Sequence, residues 1–235
     1  MDSSRHVFHP DSTTEFHVPV GSHLWRVAHT RGGRPFYLLL PDFVGGERIY
    51  WPLLGDPSCK AHVAAIGLPA VADMSVLVEG LSRVVDTLDH QPVRLVGTGF
   101  GGRLALHFAA AFPRKVSMVI KVPPNALPGG KSAGEIAMSD PAVLRDHLTA
   151  GRMAQLTGSD QRNLLARAVA GSSSSAEEAR VTKALMLCAA LDDDTPAIET
   201  SVGMHDMSAS LPDYPSLVDP AGFASAIHQC VAHDA

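Results

Sequence analysis

Apolar positions along this chain recur in two periods, and the alternation between them predicts the architecture. Two continuous apolar runs, Pro35-Phe36-Tyr37-Leu38-Leu39-Leu40-Pro41 and His62-Val63-Ala64-Ala65-Ile66-Gly67, have the composition of strands buried on both faces. The spacing then becomes helical. Leu77, Leu81, Val84, Val85 and Leu88 line one face of a segment that Ser75 can N-cap. Val93 to Val96 is a β-branched strand, followed at once by a helical segment that carries Leu104, Leu106, Phe108 and Phe112 and stops at Pro113. Lys115 to Val122 supplies a further strand, closed by Pro123-Pro124. Strands and helices alternating through short connections predict an α/β architecture, a mostly parallel central sheet flanked by helices.

The ends and the middle of the chain fill in that frame. Residues 1–15 are polar and read as a flexible segment, after which Phe16 to Thr30 forms a hairpin turning near Gly21-Ser22. A short helix is expected over Ile49 to Leu54. From about 125 to 180 the pattern is helical and more polar, as in a cap-like insertion, with Gly171 to Ser175 as a flexible loop inside it. Val181 to Leu191 reads as another buried strand, and Phe223, Ile227 and Val231, four apart, as a terminal helix. Residues 16–235 therefore form a single domain.

Composition narrows the partners. With 235 residues, 46% hydrophobic and 18% charged, the chain has the make-up of an ordinary globular protein. A net charge of -5 argues against nonspecific binding to nucleic acid or an anionic membrane. Cys59, Cys188 and Cys230 form no metal spacing and cannot all pair, which fits a reducing compartment. The first residues lack the apolar core of a signal peptide, and no apolar stretch reaches the ~18 residues needed to span a bilayer. A cytoplasmic protein without a cofactor is expected.

The candidate chemistry lies at Val96-Gly97-Thr98-Gly99-Phe100-Gly101-Gly102. A strand, a glycine-rich turn and an immediate helix are the layout of the nucleophile elbow, G-x-Ser-x-G, in which a strained turn lifts a serine hydroxyl above the sheet. Gly99 stands where that serine would be. The partner acid would follow a late strand, where Asp192, Asp193 and Asp194 lie, although a solvated turn explains that run equally well. The partner histidine would precede the last helix, and Ser210 stands there. Gly99, Asp194 and Ser210 thus mark a degenerate triad, because glycine has no heteroatom and serine does not shuttle protons near neutral pH. His205, followed by Asp206, is a displaced candidate base, and Thr98 a candidate nucleophile better suited to a local hydrogen bond. An oxyanion hole needs the N–H after the nucleophile and one from an early loop, which points to Phe100 and to Asp42-Phe43.

Gly97, Gly99 and Gly102 also satisfy G-x-G-x-x-G, the dinucleotide fingerprint. That fingerprint expects a carboxylate at the end of the next strand, which here reads Ile120-Lys121-Val122-Pro123. A phosphate loop is excluded, since no Gly-Lys-Ser/Thr follows.

Four stretches together carry a resemblance: Pro35 to Pro41 with its glycine loop, Val93 to Phe108, Leu156 to Arg167 leading to Val181, and Ser210-Leu211-Pro212 before the helix from Pro220. In these the chain resembles the maspardin family within the α/β-hydrolase fold. The resemblance implies a protein acting through a protein partner or a small acyl or carboxylate ligand, cytoplasmic and visiting endosomal or trans-Golgi membranes in vesicle trafficking. It departs from that family at Gly99, where the family carries serine. The rival expectations are an esterase or lipase relative with an unorthodox nucleophile, and a dinucleotide-binding protein.

Overall fold

A computed structural model of the chain describes residues 13–30, 33–42, 46–55, 61–122, 196–199, 201–207 and 219–232. Among these residues seven strands form one sheet in the order β1-β2-β4-β3-β5-β6-β7. These are β1 (Thr13–Val20), β2 (His23–Thr30), β3 (Gly33–Leu40), β4 (Ala61–Gly67), β5 (Val93–Thr98), β6 (Val116–Val122) and β7 (Gly203–Asp206). Strands β4, β3, β5, β6 and β7 run parallel, and β1 and β2 form an antiparallel hairpin joined to β4. The mostly parallel sheet is the one expected from the sequence. The hairpin starts at Thr13, three residues inside the segment expected to be flexible, because Thr13, Thr14 and Glu15 pair with Thr30, His29 and Ala28.

Alternation along the strands separates two apolar layers. Phe36, Leu38 and Leu40 of β3 and Val93 and Leu95 of β5 face a core with α2 (Met74–Leu88) and α3 (Phe100–Ala111). Tyr37 and Leu39, with Val96 and Ile120, face the opposite core with α1 (Trp51–Leu54) and α4 (Pro220–Ala232). Leu38, Leu39, Leu95, Val96 and Val119 are fully buried, which explains why the parallel strands read as unbroken apolar runs.

The expected helix over Ile49 to Leu54 is a 3-10 turn at Gly46–Tyr50 continuing into α1. The cap of α2 is corrected: Asp73, not Ser75, is the N-cap, and its carboxylate accepts from the Ser75 and Val76 N–H groups. Asp73 has the extended backbone a cap requires, whereas Ser75 lies inside the first turn and its hydroxyl donates to Asp73. The cap-like insertion at 125–180, the strand at Val181 to Leu191 and the loops holding Phe43, Asp194 and Ser210 lie outside the described residues.

Candidate functional site

The end of β5 carries the site. Thr98 closes the strand, Gly99 is the N-cap of α3, and Phe100 is its first residue. Gly99 has φ 52° and ψ -114°, a backbone that residues with a side chain adopt only under strain. The turn is therefore the sharp strand-to-helix bend expected of an elbow, with Gly99 at its apex. The Gly99 carbonyl accepts from the Gly102 and Arg103 N–H groups at 3.0 and 3.3 Å and starts the helix.

The neighbouring glycines are there for close approach. A Cβ on Gly97 would lie 2.5 Å from the Gly101 carbonyl and from the Gly102 backbone, and one on Gly101 would overlap the Leu40 carbonyl. Strand β5, helix α3 and the end of β3 touch backbone to backbone. Of the glycines that also fit a dinucleotide fingerprint, Gly97 and Gly102 are accounted for by this contact and Gly99 by its positive φ. The N-terminus of α3, where a pyrophosphate would have to sit, already has an anionic group.

That group is Asp42. It lies two residues past β3 and is 1% exposed. Its Oδ1 accepts from the Phe100 N–H at 3.1 Å. This N–H is one of the donors that would hold an oxyanion, and the Asp42 carboxylate occupies it. Its carboxylate also takes the space of an elbow side chain. A Cβ built on Gly99 would lie 2.5 Å from Asp42 Cγ and Oδ1 and 2.7 Å from Oδ2. Glycine at the apex leaves the space that the Asp42 carboxylate takes up.

Below them Tyr50 ties three elements together. Its hydroxyl lies 3.0 Å from the Leu40 carbonyl and 2.9 Å from Thr98 Oγ1. The carbonyl can only accept, so Tyr50 gives its one proton to Leu40 and Thr98 donates to the tyrosine oxygen. Burial raises the Tyr50 pKa, the Thr98 hydrogen bond opposes this, and the nearby Asp42 charge adds to it. The phenol stays neutral. Thr98 is 3% exposed with its proton committed, not to nearby backbone as expected but to the Tyr50 side chain 48 residues away. Tyr50→Phe is expected to lower stability by about 1–2 kcal/mol, measured by urea unfolding, because it leaves the Leu40 carbonyl and Thr98 without this partner.

Phe43, Asp194 and Ser210 lie outside the described residues. His205 sits on β7 opposite Ile120 of β6, two strands from β5. Asp206 pairs with Lys121 at 3.1 Å. The structure thus brings Asp42, Thr98, Gly99 and Phe100 together and leaves His205 apart on its own strand. Sequence reasoning missed Tyr50, for which the sequence signal was slight: one tyrosine in a short apolar turn after a glycine loop.

No protein-family model matches the chain. No curated protein matches it either. Solved structures do. The chain is similar to Cfl2 of Burkholderia cenocepacia, at 13% identity and TM-score 0.70, over 93% of this chain and 95% of that one. It is also similar to a thermophilic esterase from Thermogutta terrifontis, at 14% identity and TM-score 0.67, over 94% and 98%. A third likeness is to the epoxide hydrolase CorEH, at 14% identity and TM-score 0.65, over 95% and 100%. Identities this low establish the fold alone. It is the α/β-hydrolase fold, with the elbow at the end of β5.

Proposed function

We propose that this protein keeps the α/β-hydrolase scaffold without its hydrolytic chemistry and works by binding a protein partner. One observation carries the proposal: the Asp42 carboxylate occupies both the side-chain space of the elbow residue and the Phe100 N–H. An acyl-transfer site needs an attacking group at the apex and a vacant donor for the developing oxyanion. Here both places hold one buried carboxylate. A small carboxylate or acyl ligand in the hole would have to displace Asp42 and meet its charge, so a protein is the better-supported partner.

The resemblance to maspardin gives the partner half of the proposal, a role in vesicle trafficking at endosomal or trans-Golgi membranes. No helix among the described residues is long and apolar enough to cross a membrane. Attachment through a bound protein agrees with that.

The test is turnover of short p-nitrophenyl esters by the purified full chain, set beside intact mass after exposure to a fluorophosphonate. The expected result is a rate equal to the buffer blank and no adduct. Saturable hydrolysis lost on Thr98→Ala or His205→Ala would establish the rival reading, an esterase with an unorthodox nucleophile.

A further inference from the structure

At the N-terminal edge of the parallel strands, away from the elbow, a row of rings crosses the sheet. Phe16, His29, His62 and Phe36 lie on the four successive strands β1, β2, β4 and β3. Neighbouring ring centroids are 5.5, 5.4 and 4.8 Å apart. His90, just after the left-handed Asp89 that ends α2, packs on the row from above, 4.7 Å from His62 and 4.9 Å from Phe36. Three imidazoles from three elements therefore meet at one place.

Their hydrogen bonds fix the protonation state. His29 Nδ1 lies 3.3 Å from the Thr30 carbonyl and 3.2 Å from His62 Nε2. A carbonyl can only accept, so His29 Nδ1 carries a proton and His62 Nε2 must accept it. His62 is therefore neutral. Proton uptake at Nε2 would set two N–H groups against each other at 3.2 Å. Among the described residues no three His, Cys, Asp or Glu side chains are placed to hold a metal ion.

We propose that the His29–His62 contact, with His90 packed over it, is a proton-operated latch that holds the β1–β2 hairpin on the sheet and loosens it in acid. Among the described residues the hairpin's backbone pairs with the rest of the sheet through β2 and β4, over Arg26 to His29, and the Thr30 hydroxyl adds bonds to Ala61 and Val63 of β4. His29 is the last of those paired positions. The groups acting on His62 are His90 beyond α2 and His29 on β2, each of which opposes a positive charge on the His62 ring. Phe36 from β3 and Phe16 from β1 contribute rings without charge. Burial, then His90, then His29 hold the His62 pKa down to about 4. A hairpin that opens returns His62 toward the usual histidine value of 6.5. The open form binds the extra proton between these two values, so opening grows as pH falls through that window.

Hydrogen exchange of the full chain at pH 7.5 and 5.0, corrected for intrinsic rates, reads the latch directly. The expected result is about a tenfold loss of protection over residues 13–30 at pH 5.0, a linkage figure reduced for solvent reaching the half-buried ring. Strand β5 and helix α3 keep theirs. In His62→Phe the hairpin's protection should change by less than about twofold between the two pH values. His29→Phe reads the same contact from the other side, should His62→Phe fail to fold. Unchanged protection in the wild type, an equal fall in the variant that folds, or a loss shared by the whole sheet would each overturn the proposal.

Discussion

Gly99→Ser is expected to destabilise the protein by about 3 kcal/mol and to restore no ester hydrolysis. Two costs add. A side chain at φ 52°, ψ -114° stores roughly 1–3 kcal/mol of backbone strain. Its Cβ would lie 2.5 Å from the Asp42 carboxylate, an overlap of the kind that costs roughly another 1–3 kcal/mol in a packed interior. For a domain of this size the sum corresponds to a fall in Tm of roughly 6–12 °C, read by thermal unfolding. The new hydroxyl would also have the Phe100 N–H already engaged beside it. Putting back the apex serine alone therefore leaves the site silent.

Asp42→Ala is the second large effect, and it comes from the opposite half of the same arrangement. The substitution leaves the Phe100 N–H without the 3.1 Å acceptor at the first turn of α3, where the helix end favours an anion. A loss of about 2–3 kcal/mol is expected from a buried, charge-assisted hydrogen bond. Asp42→Asn keeps an oxygen in place and should lose less than half as much. The vacated space has the shape of a carboxylate. Acetate in the tens of millimolar should raise the Tm of Asp42→Ala saturably and leave the wild type unmoved, as binding to the folded state requires. Equal losses in the Ala and Asn variants, with no response to acetate, would show that Asp42 fills space without capping the helix.

The elbow could be read from the sequence because everything defining it is local. Val93 to Thr98, the glycines and the apolar face of α3 are contiguous, and the helix ends where Pro113 requires. The parallel strands were legible for a similar reason, since burial on both faces leaves an unbroken apolar run such as Tyr37-Leu38-Leu39-Leu40. Position 42 could be nominated for the oxyanion hole, but not the direction of its side chain. That depends on the loop after β3 reaching a helix 58 residues further on. The loop expected to offer a backbone donor delivers a carboxylate acceptor at Asp42.

Long-range register hid the rest. Tyr50 meets Thr98 across 48 residues, and His29 meets His62 across 33. In the sequence each is a single polar residue in an apolar stretch. No strand was expected at His205, because Gly203 to Asp206 is only four residues long and lacks the β-branched composition that marks β5. Pairing with β6 makes it a strand despite that composition, a case of neighbours overriding propensity. The Ser75 cap failed on a smaller scale. Asp73 and Ser75 are both good capping residues, and only the backbone angles decide between them.

A double-mutant cycle between positions 42 and 99 tests most directly whether one carboxylate closes this site. Unfolding free energies of the wild type, Gly99→Ser, Asp42→Ala and the pair would be measured in urea. If Asp42 fills the place of the elbow side chain, serine at 99 should cost at least ~2 kcal/mol less in the Asp42→Ala background than in the wild type. Additive costs, agreeing within ~0.5 kcal/mol, would mean that the two positions do not compete for the same space. The account of a site emptied of chemistry by its own aspartate would then be contradicted.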